Sequence, residues 1–447
     1  MAEWKGQFDF YTIQTRPGKG NKIEVFPEYK VCRSKDLVIR GGNFYVVYDE
    51  TTGKWTEDKV VIQNVIDGDI QKRVDELEDA QKDANSDYRT KYVGKFLGDF
   101  SSTHWTKFDQ YVKSLPDTKK VVLDKNVTFL GDRPKKEDYV SKTLPYSLPL
   151  SADPDSYSAW DEMISILYEP EEREKIEWAI GAILSGDAKK IQKFLVFYGP
   201  QGSGKSTVLN IVMKLLDGYY ATFKAESIVN SNDQFGCKFL STNPLVAIDE
   251  DTNLSRIETN ATINKIASHE ELEVNEKYKS QYVIKPMCMM MLGTNKPVRI
   301  TDAKSGIIRR LIDIEPSGRK IKPIRKYDAL NRQIEQQLGA IAKHCIDVYQ
   351  DDNRGMHYYD DYIPERMMYR TDPFFNFMQE HYDEYKEEPY VQASVLWEQW
   401  KEYCRESGIE FTKKRFEIID EAQTIFSIII KSKPVLMVKK SEQGSPD

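Results

Sequence analysis

The chain has 447 residues, enough for roughly three domains of ordinary size and at least one large buried core. Hydrophobic residues make up 40% and charged residues 30%, which excludes an intrinsically disordered chain, and no apolar run is long enough to span a bilayer. The formal net charge of −7 excludes a general attraction to nucleic acid, but not a local basic channel that threads one strand.

Met1-Ala2-Glu3-Trp4-Lys5 lacks the basic-then-apolar pattern of a secretory signal. The expectation is a cytoplasmic protein, in the host cell cytoplasm if it is viral, with no membrane partner. Cys32, Cys237, Cys288, Cys345 and Cys404 are scattered singly and odd in number, which argues against a disulfide framework or a zinc site.

Residues 1–120 read as a mixed α+β domain of unassigned function. Leu37-Val38-Ile39 and Phe44 to Tyr48 are β-rich and flank Gly41-Gly42, and a second turn at Thr51-Thr52-Gly53 leads to Lys54-Trp55. A charged helix is expected from about Ile70 to Ala84, with Val74 and Leu77 on one face. Residues 121–155, with Pro134, Pro145, Pro149 and Pro154, read as a linker. Residues 156–190 read helical through Trp160, Ile164, Leu167, Ile176, Ile180 and Ile183. Three continuous apolar runs follow: Phe194 to Tyr198, Leu245 to Ile248, and Met287 to Leu292. Such runs are the pattern of strands buried on both faces, and their alternation with helices predicts an α/β sheet over 191–326. Residues 327–371 read as a helical connector and 372–440 as a small domain with helices near Phe374–Met378 and Val395–Tyr403. The polar tail 441–447 is expected to be disordered.

The first apolar run leads into Gly199-Pro200-Gln201-Gly202-Ser203-Gly204-Lys205-Ser206-Thr207, which fits G-x-x-x-x-G-K-[ST]. The three glycines let backbone N–H groups turn inward around phosphate oxygens. The helix expected from Val208 to Leu216 points its N-terminus at the anion. Lys205 is expected to reach the β- and γ-phosphates and Ser206 to offer a hydroxyl to Mg2+.

The second run ends in Asp249-Glu250-Asp251, acids at the carboxyl end of a buried strand. Asp249 is expected to hold Mg2+ through water and Glu250 to polarise the attacking water. A base aimed at water favours hydrolysis over transfer to a metabolite. The third run ends in Gly293-Thr294-Asn295, where the Asn295 amide can orient that water or touch the γ-phosphate. Arg309 and Arg310 sit among apolar residues in Gly306 to Ile312. Buried arginines need anionic partners, and a γ-phosphate across a subunit boundary is one. Arg309 is the expected finger, which makes a closed oligomer the working form.

With these four elements in order, the sequence resembles superfamily 3 helicases, in particular the helicase half of phage, plasmid and poxvirus primase–helicases. The nucleotide-site resemblance spans Phe194 to Glu315, with 90 residues between Lys205 and Asn295. It implies an AAA+-like P-loop NTPase core, a hexameric ring, ATP and Mg2+, single-stranded DNA as partner and 3′-to-5′ travel. It also implies a small winged-helix-like domain around Phe374 to Tyr403. Relatives project a hairpin lysine into the central channel. The corresponding stretch here is Leu272 to Lys279, with Lys277, Tyr278 and Lys279 as the expected DNA contacts, although Ser268-His269-Glu270-Glu271 stands where relatives carry a Gly-Asp step.

Many relatives also carry a primase–polymerase domain that needs a carboxylate cluster for two metal ions. Asp67-Gly68-Asp69 is the one tempting pair in the first 120 residues, and Asp69 reads as a helix N-cap instead. Primase activity is therefore expected from a separate primase or polymerase, or from a longer parent chain. Two rival functions stand beside the helicase: an origin-binding replication initiator, and an AAA+ ATPase that remodels protein or packages DNA. Lys413-Lys414-Arg415 is a short basic cluster suited to phosphate contact.

Overall fold

The computed structural model describes residues 4–5, 11–19, 22–29, 38–40, 45–83, 91–94, 106, 110–113, 115, 122–229, 235–252, 256–257, 261–275, 282–300, 306–406, 410–411 and 413–431. Near the N-terminus, β1 (Trp4–Lys5), β2 (Tyr11–Pro17), β3 (Lys22–Tyr29) and β7 (Lys91–Gly94) form a four-stranded sheet. A three-stranded antiparallel sheet holds β4 (Val38–Arg40), β5 (Tyr45–Asp49) and β6 (Lys54–Thr56).

Helix α1 spans Lys59–Asp83, so it starts a full eleven residues before the position expected from sequence. Asp58 starts it by accepting the Val60 N–H at 2.8 Å, the role of an N-cap. Ile62, Ile66, Ile70 and Val74, spaced by four, are buried on one face. Asp67-Gly68-Asp69 therefore lies inside the helix, and Asp69 is not a cap: its carboxylate accepts a hydrogen bond from the Tyr11 hydroxyl. The buried isoleucine stripe carries the helix through Gly68, whose missing side chain faces open space.

The stretch read as a linker has little regular structure but is fastened to the large domain. Phe129 and Leu144 join its core. The Tyr219 hydroxyl accepts the Thr128 N–H at 3.1 Å and donates to the Lys142 carbonyl at 2.8 Å, and the Tyr146 hydroxyl donates to the Leu215 carbonyl at 2.5 Å. The helical segment that follows is two helices, α2 (Ser158–Leu167) and α3 (Pro170–Leu184), with Pro170 opening the second.

The large domain is α/β, built on a five-stranded parallel sheet. Its strands are β8 (Phe194–Tyr198), β9 (Tyr220–Thr222), β10 (Val246–Thr252), β14 (Met289–Thr294) and β16 (Leu311–Ile314), in the spatial order β16-β8-β14-β10-β9, and a separate short parallel pair joins β11 (Arg256–Ile257) to β15 (Arg299–Ile300). The strand that precedes the glycine-rich loop is thus flanked by the strand ending in Asn295 and the strand that follows the paired arginines. Helix α4 (Lys205–Leu215) follows the loop.

Side chains alternate between two cores. Leu195, Phe197, Val246, Ile248, Met289 and Met291 face α2, α3, α4 and the long helix α7 (Ile324–Gln350). Phe194, Val196, Ala247, Met290 and Leu292 face α5 (Ala225–Val229), α6 (Ala261–Ala267) and the C-terminal unit. Both faces are covered, which is why the strands read as unbroken apolar runs.

The C-terminal unit holds α8 (Glu365–Thr371), α9 (Pro373–Glu380), α10 (Tyr382–Glu387), α11 (Ala393–Glu406) and α12 (Arg415–Thr424). A short parallel pair, β17 (Val391–Gln392) with β18 (Ile430–Lys431), closes it. Trp400 is buried against Phe374 and Phe377. Lys413 is no phosphate contact. Its ammonium is buried between Asp372 and Glu421, at 2.5 Å from each, because a buried ammonium needs hydrogen-bond acceptors and an opposite charge, which Asp372 supplies. Among the described residues no helix is long and apolar enough to cross a membrane.

Candidate functional site

The glycine-rich loop leaves β8 at Tyr198 and enters α4 at Lys205. Gly202 and Gly204 have φ of +74° and +99°, a region that suits glycine. A Cβ at Gly204 would also meet Leu167 Cδ2 at 2.8 Å, so α2 packs directly against the loop. The cavity under the loop, of about 200 Å³, is lined by Gln201 to Thr207 together with Glu250, Asp251 and Asn295.

Lys205 is buried. Its ammonium donates to the carbonyls of Gly199 at 2.7 Å and Pro200 at 3.1 Å, and to Asn295 Oδ1 at 3.2 Å. Burial pulls its pKa below the ordinary lysine value, against the attraction of Asp251. Ser203 Oγ is buried with no hydrogen-bond partner, a group that an added acceptor such as a phosphate oxygen would satisfy. Ser206 is exposed at the cavity, and Thr207 Oγ1 lies 3.1 Å from the Tyr327 hydroxyl of α7.

The acids divide differently from expectation. Asp249 accepts the Ala225 N–H at 2.7 Å and is absent from the cavity lining; burial raises its pKa. Glu250 and Asp251 line the cavity instead. Asn210 donates to Glu250 Oε2 at 3.3 Å, and Asn295 donates to Asp251 Oδ1 at 2.9 Å. The cause is a register break. Asp249 pairs with Leu292 but Thr252 pairs with Thr294, so β10 holds one extra residue between them. A bulge of this kind re-aims side chains and brings two consecutive acids toward one cavity.

Asn295 thus links Lys205 to Asp251 in a single chain of hydrogen bonds. Asp251, Asn210, Tyr327 and Lys320 are site neighbours that sequence reasoning did not single out. For Asn210 a signal existed, since it stands one helical turn after Ser206. Lys320 Nζ would lie 3.8 Å from a Cβ at Gly202, a proximity created by the return of the chain after β16.

Arg309 is exposed on a short turn, Ile308–Arg310, that leads into β16. Leu311 pairs with Phe194, at the start of β8, whereas the loop leaves the other end of β8. At about 3.3 Å per strand residue, Arg309 stands on the order of 15 Å from its own loop. Arg310 is buried and donates to the Gly306 carbonyl at 2.8 Å. Lys277, Tyr278 and Lys279 lie outside the described residues. The strands on either side of them, β12 (Leu272–Val274) and β13 (Tyr282–Ile284), form an antiparallel pair.

Residues 197–310 match a family described as "Family of unknown function (DUF5906)". The match begins in the strand before the glycine-rich loop and ends at the paired arginines. Similarity to three solved structures is low. One is the A form apo structure of the NrS-1 C-terminal region, 16% identical with a TM-score of 0.36 over 49% of this chain and 53% of that one. A second A form apo structure of that region is 15% identical, with a TM-score of 0.40 over 66% of this chain and 75% of that one. A further apo structure of it is 16% identical, with a TM-score of 0.39 over 67% and 83%.

The residues around the cavity suit a phosphate chain with a divalent cation. Backbone N–H groups and the Lys205 ammonium match anionic oxygens. The Ser206 hydroxyl and the Glu250 and Asp251 carboxylates that line the same cavity are the hard oxygen donors that Mg2+ takes.

Proposed function

We propose that this chain is an ATP-hydrolysing DNA helicase of superfamily 3 type, with an AAA+-like P-loop core, and that it works as a hexameric ring in the cytoplasm. The observation that carries this reading is the division of polar groups. Lys205, Glu250, Asp251 and Asn295 surround one cavity, while the exposed Arg309 stands at the far end of the same sheet. A site with a cation, acids and an amide but with its arginine out of reach supports a reading as half of a shared site. The strand order supports the core assignment, because Asn295 lies between the loop strand and the acid strand. Helices α9, α11 and α12 support a winged-helix-like C-terminal domain.

In this mechanism the loop N–H groups and Lys205 hold the β- and γ-phosphates. Ser206 and Asp251 would hold Mg2+, which would neutralise charge on the phosphate oxygens. Glu250 accepts a proton from the attacking water, and Asn295 fixes that water's position. The water oxygen forms its bond to the γ-phosphorus as the bond to the β–γ bridging oxygen breaks, and ADP leaves with the electron pair. Arg309 of a neighbouring subunit stabilises the charge that spreads over the γ-oxygens. Hydrolysis moves the hairpin that carries Lys277, Tyr278 and Lys279, which draws single-stranded DNA through the ring in the 3′-to-5′ direction. A separate primase or polymerase supplies primers.

The test is ATPase activity across protein concentration, with and without single-stranded DNA. Stimulation by DNA and a steep concentration dependence are expected. Lys205→Ala should abolish hydrolysis and unwinding while the fold is retained; ATP-dependent unwinding by that variant refutes the assignment. Hydrolysis indifferent to DNA points to a protein-directed ATPase instead.

A further inference from the structure

We infer that Lys193 is a positioning residue for Arg309, a buried ammonium that fixes the backbone from which the arginine projects toward the neighbouring subunit. This rests on the reading of Arg309 as a shared-site residue. Lys193 directly precedes β8, the strand whose other end becomes the phosphate loop. It is 5% exposed, and its Nζ donates to the Arg309 carbonyl at 2.5 Å and to the Asp360 carbonyl at 3.1 Å. Among the described residues no carboxylate reaches it as an ion pair. A lysine held so deep by two carbonyls is costly unless its place is needed. Burial, together with Arg309 and Arg310 and against Asp360 and Asp361, pulls its pKa down to about 8.

The arginine turn is built as a pedestal. Gly306, at φ +70°, opens it, and the Arg310 guanidinium folds back onto the Gly306 carbonyl at 2.8 Å. Ile307 and Ile308 are buried beneath it. Arg310 N–H closes the turn on the Ile307 carbonyl at 3.0 Å. Lys193 pins the remaining free corner, the Arg309 carbonyl, and leaves the Arg309 side chain as the exposed element. A charge-stabilising group works when its support holds it in place before the reaction. A misplacement of about 1 Å can cost about 100-fold in rate. Because Lys193 is continuous with β8, the same contact ties each subunit's own phosphate loop to the arginine it lends next door.

Mixed rings separate this role from a general structural one. Subunits with Lys205→Ala cannot hydrolyse but can lend Arg309. Subunits with Arg309→Ala can hydrolyse but cannot lend it. Mixing the two should restore ATP hydrolysis. Adding Lys193→Met to the lending subunit should then lower kcat of the mixture by tenfold or more with KM for ATP unchanged. The same change in the hydrolysing subunit should leave both unaltered. As a folding control, the single Lys193→Met variant should bind ATP with wild-type affinity. Lys193→Arg, which keeps a charged donor, should recover part of the lost rate.

Equal loss whichever subunit carries Lys193→Met overturns the inference, as does loss of ATP binding in the single variant. Failure of the mixture to recover with Lys193 intact refutes the shared site itself, and the inference falls with it. Recovery that is indifferent to Lys193 overturns the inference alone.

Discussion

Gly293 lies where β14 passes the bulge of β10, so replacing it with alanine tests whether that bulge sets the site. A Cβ at Gly293 would sit 2.3 Å from the Glu250 carbonyl oxygen and 2.9 Å from its carbon, where ordinary contact begins at 3.4 Å. Both atoms are backbone, so the strands themselves must part by about 1 Å. That displacement falls between Glu250 and Asp251 on one strand and Asn295 on the other. A shift of this size costs about 100-fold in rate where reacting groups must be aligned, and overpacking costs about 1–3 kcal/mol in stability. Steady-state hydrolysis at saturating ATP and single-stranded DNA should therefore fall about 100-fold. ATP affinity should change less than kcat, because β14 and Asn295 touch the loop at Gly199 and Lys205 while the loop's own backbone is carried by β8 and α4. Gly68→Ala is the control, since a Cβ there meets nothing within 4 Å. A folded Gly293→Ala variant whose kcat stays within about threefold of wild type refutes the claim that the bulge aims the acids.

Two further predictions follow from particular contacts. Asp251→Asn should lower hydrolysis by more than tenfold and weaken the dependence on Mg2+, whereas Asp249→Asn should act mainly by lowering the melting temperature, because Asp249 holds the Ala225 N–H; a Mg2+ titration of each variant decides between the two acids. Burial and Asp372, against the pull of Lys413, push Glu421 up to about 8. Its folded pKa is raised, so its stabilising effect is complete below the ordinary carboxylate range and is lost as pH rises through about 8. Melting temperature should drop by a few degrees between about pH 6 and about pH 9, and Glu421→Gln should flatten that slope. An unchanged slope in Glu421→Gln would place the pH dependence elsewhere.

The sequence by itself determined the three central strands of the sheet and the loop, but not the edge strands β9 and β16. Phe194–Tyr198, Leu245–Ile248 and Met287–Leu292 are apolar without a break because both faces of each strand are covered, and that requirement is written locally. Gly202, Gly204 and Lys205 carry their own backbone and charge logic, so the loop and its place after a buried strand were legible from spacing alone. Where the reading misled, the deciding force was distant in sequence. Ile62, Ile66, Ile70 and Val74 form a stripe that outweighed Gly68 and extended α1 back to Asp58. Residues 122–157 are rich in proline yet are tied down by Tyr146 and Tyr219, partners that a local reading cannot see. Lys413 looked like a surface cation until Asp372 and Glu421 closed around it. The division of labour among Asp249, Glu250 and Asp251 was decided by tertiary structure alone. Strand alternation predicts that neighbouring acids point to opposite faces, and one extra residue of β10, seated against Gly293 of another strand, turns Glu250 and Asp251 toward the same cavity. The distance between Arg309 and its own loop has the same origin, since it depends on the pairing of Leu311 with Phe194 and on no local motif.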